Sequence, residues 1–299
     1  MKVKKEIFFI KSGKACLPEI EGYSRVFTNR DFKCNVISYE EISLYDKPEN
    51  VFWFFMGFYP HKTLQGIVIH DYRSLSTGNM HVIKDYIKCK LQPKPSLRIF
   101  LNNNIRNHLN FKDNIPSYIV DMGVDFPYSN VMNKKDILYD YVYVGVVSRN
   151  RGMDCFLNMF VKSSTGKKLL LVGCYEKSLY DIYNGQNIIF TDKVDRNQVY
   201  QYLMQSQTGI SYIPRGMPYD LQTSTKMLEY AWCGLKILAN NSPSNILTAK
   251  KIGFECNLSK KALLDLEIRN TKKLDVQKNL SWENIFLASG IFEYFQTLN

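Results

Sequence analysis

The sequence predicts an α/β protein made of two doubly wound domains, and three observations carry that prediction. Short apolar runs recur along the whole chain, amphipathic runs alternate with them in the second half, and a polar stretch, "SNVMNKKDILYD", divides the series in two. Strands of a parallel sheet are covered on both faces, so they read as continuous apolar runs rather than alternating ones. Strand–helix alternation on both sides of a polar joint is the pattern of two such sheets. A chain of 299 residues, 45% hydrophobic, is long enough for both. The expected bounds are 1–135 for the first domain and 136–284 for the second, with a closing helix over 285–299 that can pack back on the first. The cleft between the two is the expected site.

In the first half the strand-like runs are "EIFFI", "KCNVISY", "VFWFFMGF", "GIVIHDY", "RIFLNN" and "SYIVDMG", separated by segments long enough for helices or loops. The second half gives "YVYVGVV", "KLLLVG", "NIIFTD", "TGISYIP" and "LKILAN", alternating with the helical runs "MDCFLNMFVKS", "RNQVYQYLMQS" and "TKMLEYAW". At the end, "SWENIFLASGIFEYFQTLN" has apolar residues at helical spacing behind a Ser that can cap them.

Net charge is +11, with 20 basic against 13 acidic residues over 1–135 and 19 against 15 over the remainder. Nucleic acid, an anionic membrane face or phosphorylated small molecules each answer to such a balance, and so does solubility alone. No basic helix, RNA-recognition aromatic signature or zinc finger accompanies the charge, so nucleic acid is not an expected partner. The 7 cysteines are scattered singly, without a C-x-x-C pair, which suggests neither a disulfide framework nor a zinc site and fits a reducing cytosol. The longest apolar block, "VFWFFMGF", falls far short of the ~20 residues of a membrane span, and the basic N-terminus is followed by only a short apolar run. A cytoplasmic location is the expectation.

Two segments carry chemistry. In "YVYVGVVSRNRGMDCFLNMF" a buried strand ends at Gly145, the loop holds Arg149 and Arg151, and a helix begins after Gly152. A helix N-terminus flanked by two guanidiniums can cradle a diphosphate. Neither a Walker loop nor a G-x-G-x-x-G fingerprint is present, and a basic surface loop is the plain alternative. In "TSTKMLEYAWCGLKILAN", Ser224 or Thr225 caps a short helix, Met227, Leu228, Ala231 and Trp232 face inward, and Gly234 ends it before a buried strand. Lys226 stands in the first turn, where the helix dipole disfavours a cation unless an anion is near. Glu229 comes one residue too late for a capping box. Both charges call for a partner.

These segments, with "LLLVGCYE", "IIFTDKV" and "GISYIP" between them, resemble the C-terminal half of GT-B glycosyltransferases, most nearly retaining glycosyltransferase family 4, over about residues 140–245. The resemblance implies that Gly145, Ser148, Arg151 and Gly152 line a nucleotide-diphosphate site, with Arg151 holding the phosphates. Where the family often has a further Arg, this sequence has Val146, so either Arg149 serves or a contact is missing. Glu229 stands where the family's carboxylate accepts both ribose hydroxyls, which suits a group with two acceptor oxygens; pairing with a neighbouring cation is the plain alternative. Thr225 and Lys226 would reach the diphosphate or sugar, Val194 would line the donor pocket, and the place of a second family Glu is taken by Leu221.

The first half resembles the family more loosely. Gly13, between Ser12 and Lys14, would lie in a loop near the reacting sugar, and His70 would end a strand beside it. The implied fold is GT-B, two Rossmann-like domains facing a cleft. The implied reaction moves a sugar from a nucleoside-diphosphate sugar to a hydroxyl of an oligosaccharide or lipid-linked glycan, with retention of configuration, in bacterial surface-polysaccharide synthesis of O-antigen or lipopolysaccharide type. His70, Arg151 and Lys226 would be its catalytic residues, with no metal and no cofactor beyond the donor. Lys2, Lys4, Lys5, Lys11 and Lys14 around the first strand would draw the protein to an anionic inner-membrane face. The rival expectations are a GT-B nucleotide-sugar epimerase and a basic nucleic-acid-binding protein.

Overall fold

The structure, a computed structural model, describes residues 5–11, 17, 19–57, 63–76, 78, 80–124, 136–163, 166–258 and 279–297. It divides into two compact units, Met1–Asp125 with Lys278–Asn299, and Phe126–Gln277.

The first unit runs β1 (Glu6–Lys11), α1 (Glu19–Thr28), β2 (Lys33–Ser38), α2 (Ile42–Tyr45), β3 (Val51–Phe55), β4 (Ile67–Tyr72), α3 (His81–Leu91), β5 (Leu97–Phe100), α4 (Asn103–Leu109) and β6 (Ser117–Ile119). Its strands form one parallel sheet in the order β2-β1-β3-β4-β5-β6. The central strand β3, "VFWFF", is buried at every position, which is why it reads as an unbroken apolar run.

The second unit runs β7 (Tyr139–Val144), α5 (Met153–Ser163), β8 (Leu169–Val172), α6 (Lys177–Tyr183), β9 (Ile188–Thr191), α7 (Arg196–Met204), β10 (Ser206–Ser211), α8 (Thr225–Trp232), β11 (Lys236–Ala239) and α9 (Pro243–Ile252). Its parallel sheet has the order β11-β10-β7-β8-β9. The chain leaves β7 in one direction and returns to its other side through β10. That reversal puts the switch point, and the crevice it creates at the strands' carboxyl ends, between β7 and β10. Side chains of α5 (Met153, Phe156, Leu157 and Phe160) cover one face of this sheet in a single apolar cluster.

The chain then returns to the first unit as α10 (Trp282–Ser289) and α11 (Ile291–Thr297). Ser281 caps α10 through its hydroxyl, which accepts from the Asn284 amide at 3.2 Å. The closing helix was expected from 285, and the second domain to run to 284; Trp282 explains the earlier switch. Its ring fills a slot against Gly22 and Gly123, where an added Cβ would come within 2.2 and 2.6 Å of it. Tyr23 meets Trp282 and Phe286 edge-on at 5.1 and 4.7 Å. Arg30 closes the contact with a two-pronged pair to Glu283 at 2.9 and 2.5 Å.

Candidate functional site

The switch point of the second unit gathers most of the residues singled out from the sequence. β7 runs into Gly145, whose φ of +142° favours glycine. A Cβ there would lie 3.0 Å from Lys226 Cε, so only glycine lets the Lys226 stem lie along the end of β7. The Lys226 ammonium sits 5.3 Å from the centre of the Tyr143 ring. Ser148 opens a tight turn over Arg149–Arg151, which Gly152 closes in the left-handed region. Arg151 stacks over Tyr219 at 4.8 Å. Its charge acts on both Tyr143 and Lys226, so the two cations share one neighbourhood. Burial, then repulsion from Arg151, pushes the Lys226 ammonium down to about 8, while Glu229 opposes the shift. Two cations held together in this way make a site that favours an anion.

Lys226 is held there by the way α8 is anchored. Tyr230, buried one turn further on, accepts from the Val144 amide at 3.1 Å and donates to the Ile210 carbonyl at 3.2 Å. One hydroxyl therefore bridges β7 and β10 where they part. Its ring lies on Gly209, where a Cβ would come within 2.3 Å of it. The start of α8 is fixed by a buried polar network. Ser211 and Ser224 hydroxyls meet at 3.1 Å, Ser211 donates to Asn245 Oδ1 at 2.7 Å, and the Ser224 amide donates to Thr248 Oγ1 at 2.8 Å. Of the two candidates, Ser224 is the N-cap residue, but its hydroxyl serves this network and makes no side-chain cap.

Glu229 is partly buried and lies 3.4 Å from Arg196, the first residue of α7. Burial raises its carboxyl, and Arg196 and then Lys226 pull it back. Arg196 is a partner the sequence reading did not find. Its signal matches that of Lys226: a cation in the first turn of a helix, directly after the N-cap Asp195. Tyr230 and Asn245 were missed as well, since each acts through partners distant in sequence. Thr225 is exposed at the start of α8, and Val194 is half-buried in the loop before α7.

Three expectations change. Arg149 is already engaged, its amide and guanidinium bonding Glu176 at 3.2 and 3.4 Å and its guanidinium also bonding Ser178. The cation that shares the neighbourhood of Arg151 is Lys226, while Arg149 is turned towards Glu176 and Ser178. His70 does not end a strand: β4 continues to Tyr72, and the imidazole is 1% exposed, set between Phe54 and Tyr72. It is a wall residue in the first unit. Its neighbour Asp71 points to the opposite face, accepts from Tyr23 and Trp53 at 3.0 and 3.2 Å, and is raised by burial to about 6. Lys5 and Lys11 stand before and at the end of β1, about 20 Å apart at the rise of a strand, so they form no common patch. Gly13, with Ser12, Lys14, Lys2 and Lys4, lies outside the described residues. Among the described residues no group of three His, Cys, Asp or Glu side chains could hold a metal ion.

Neither a protein-family model nor a curated sequence matches the chain. Solved structures match over nearly its whole length. AviGT4, a glycosyltransferase involved in avilamycin A biosynthesis, aligns with a TM-score of 0.63 at 11% identity, covering 98% of this chain and 97% of its own. Anabaena HepE, in complex with UDP and glucose, aligns at 0.64 and 9% identity, covering 97% and 99%. The lipopolysaccharide outer core galactosyltransferase WaaB aligns at 0.53 and 8% identity, covering 97% and 99%. The fold is GT-B. At these identities the likeness reaches no further than that GT-B fold, and what the switch point binds has to be argued from its own residues. Among the described residues no helix is long and apolar enough to cross a membrane.

Proposed function

We propose that this GT-B chain is a glycosyltransferase that takes a sugar from a nucleoside-diphosphate sugar and joins it, with retention of configuration, to a hydroxyl of a lipid-linked glycan. The observation that carries the reading is the convergence of Arg151 and Lys226 beside Gly145 at the switch point. Cations so placed suit a diphosphate, and their mutual repulsion is relieved when it binds. Glu229, one turn along α8 from Lys226, offers two acceptor oxygens to the ribose hydroxyls, with Arg196 fixing its orientation. Thr225 and Val194 complete the donor side. That HepE is described with UDP and glucose, and AviGT4 and WaaB as glycosyltransferases, supports the same reading.

In the transfer, the bond from the anomeric carbon to the leaving phosphate oxygen breaks as the acceptor oxygen bonds to that carbon. The acceptor proton passes to the departing phosphate. Arg151 and Lys226 stabilise the charge that develops there, and no divalent ion is required for it. Glu229 holds the donor in register. The surface-polysaccharide role follows from the resemblance to family 4 and is part of the proposal.

A thermal-shift panel of UDP-, GDP-, TDP- and ADP-glucose with EDTA present tests it. One donor at 100 times its dissociation constant should stabilise the protein by about 2.7 kcal/mol. Arg151→Met and Lys226→Met should each remove the shift, and Glu229→Gln should weaken binding by roughly 1.5–3 kcal/mol. No shift with any donor, or a full shift in both cation variants, overturns the proposal. Release of an epimerised sugar without acceptor would favour the epimerase.

A further inference from the structure

Helix α3 of the first unit presents its faces the wrong way round for a globular helix. The only residue in it that is buried outright is Asp85, whose carboxylate accepts from the Ser76 amide at 2.9 Å and faces His108 at 3.6 Å and Lys88 at 3.9 Å. The apolar side chains point out. Val82, Tyr86 and Leu91 are 60%, 64% and 64% exposed, and Met80, Ile83 and Ile87 are exposed beside them. These six fall in two neighbouring helical rows, 80-83-87-91 and 82-86, on one half of the helix, with Lys90 between the rows near its C-terminal end. Scattered exposed apolar residues need no explanation, but a face of this kind does.

Fixed polar contacts hold the orientation in place. Turning the apolar side inward would strand the Ser76 amide and take the Asp85 carboxylate away from His108 and Lys88. Between residues 80 and 94 the chain carries four lysines, at 84, 88, 90 and 94, against the single Asp85. Lys84, Lys90 and Lys94 are exposed around the apolar face. The cavity beside α3, about 570 Å³, keeps a basic excess, with Lys88, Lys90, Lys94, Arg98 and Lys112 against Asp85 and Asp113, and Val82 and Tyr86 stand at its edge.

We infer that α3 is an interfacial docking helix that lays Val82, Ile83, Tyr86, Ile87 and Leu91 into the surface of a bilayer carrying anionic headgroups. An apolar face rimmed by lysines is the pattern of a helix lying in the headgroup plane, where burial of apolar side chains and attraction to anionic lipid add. A second copy of the chain is the poorer occupant, because its own lysines would oppose these across the contact. The inference deepens the lipid-linked part of the proposed function, bringing the enzyme to the surface where such an acceptor lies. It places the membrane contact on α3 rather than on the expected lysines around β1, of which Lys5 and Lys11 are the described ones.

The test is flotation with phosphatidylcholine vesicles, with and without phosphatidylglycerol, at low and high salt. The wild type should float with the anionic vesicles at low salt. Ile83→Glu with Ile87→Glu should reduce that binding at least about tenfold, while Lys5→Gln with Lys11→Gln should leave it unchanged. Leu91→Ser with Tyr86→Ser provides a second variant pair should the first unfold. Equal flotation of the α3 variants and the wild type overturns the inference while leaving membrane association standing. A wild type that stays soluble overturns both. A concentration-dependent dimer dissolved by the α3 changes assigns the face to a second copy instead and also overturns it. The nucleotide-sugar thermal shift, read on the same variants, should persist in all of them, so failure of the transferase reading is seen separately.

Discussion

Helices α8 and α3 carry similar ingredients and use them in opposite ways. Both are short, both combine lysine with apolar residues at helical spacing, one lysine in α8 and three in α3, and each belongs to a parallel-sheet unit. In α8 the apolar residues Met227, Leu228, Tyr230 and Ala231 are buried, and the charged pair Lys226 and Glu229 is left at the rim, where the switch point needs it. In α3 one carboxylate faces inward and the apolar residues are left outside. Periodicity reveals that a helix has an apolar face, but the sheet and its loops decide which face they cover. A charge at the rim of a buried helix points to a bound ligand, and an apolar face on an outward helix points to a surface.

The sharpest way to break this comparison is the same substitution on both helices. Leu228 is fully buried and Leu91 is 64% exposed. Leu228→Ala should cost about 2–5 kcal/mol, from lost transfer energy and the cavity left behind. Leu91→Ala should stay within about 0.5 kcal/mol, as for a surface position. Urea unfolding of the two variants measures both. A cost of several kcal/mol at Leu91 would mean that α3 is covered in solution, and the contrast between the helices would disappear.

What could be read in advance divides along the same line. Every apolar run named from the sequence became a strand, because a parallel strand covered on both faces needs no long-range information to look apolar. "MDCFLNMFVKS" and "TKMLEYAW" coincide with α5 and α8. Lys226 and Glu229 stood out because each broke a local rule of helix ends. Arg196 broke the same rule, but its link to Glu229 spans 33 residues and is made only when α7 and α8 pack beside β10. Tyr230 was not among the residues read as facing inward, since nothing nearby shows that its hydroxyl will join β7 to β10. His70 misled for the converse reason: the strand's end was placed at His70–Asp71, whereas the pairing with β5 carries β4 on to Tyr72.

The next prediction concerns the anchor that gives α8 its orientation. Asn245 is fully buried, donates to the Ser211 carbonyl at 2.9 Å and to Asn240 Oδ1 at 2.8 Å, and accepts from the Ser211 hydroxyl. Asn245→Ala leaves these groups without their partner, at a cost of about 1–3 kcal/mol. Ser211 also meets Ser224 at the start of α8, so the variant should lose nucleotide-sugar affinity although Asn245 lies behind the site. Calorimetric titration against the wild type, run with a denaturation curve, checks both effects. Lost stability with unchanged affinity would show that α8 is held by Tyr230 alone.

The smallest expected effect has the most specific signature. Lys226 is held at about 8, below its ordinary value of 10.5, chiefly by burial and then by Arg151. Between these two values the unfolded chain keeps the proton and the folded chain has lost it, so stability should rise with pH across that window. Below about 8 the charged ammonium is a cost the fold carries in full. Lys226→Met should therefore stabilise the protein at pH 7 by about 1–2 kcal/mol, discounted because the side chain is only partly buried. Its advantage should shrink towards pH 10.5, while it binds no donor at any pH. A bound diphosphate should raise the ammonium's affinity for its proton, so wild-type binding should take up protons near pH 8.5 and weaken as pH climbs beyond that. Titration in buffers of different ionisation enthalpy reads the uptake directly. A Lys226→Met protein that is less stable than the wild type at pH 7, or donor binding without proton uptake, would mean that Lys226 belongs to the packing of the switch point and not to its ligand.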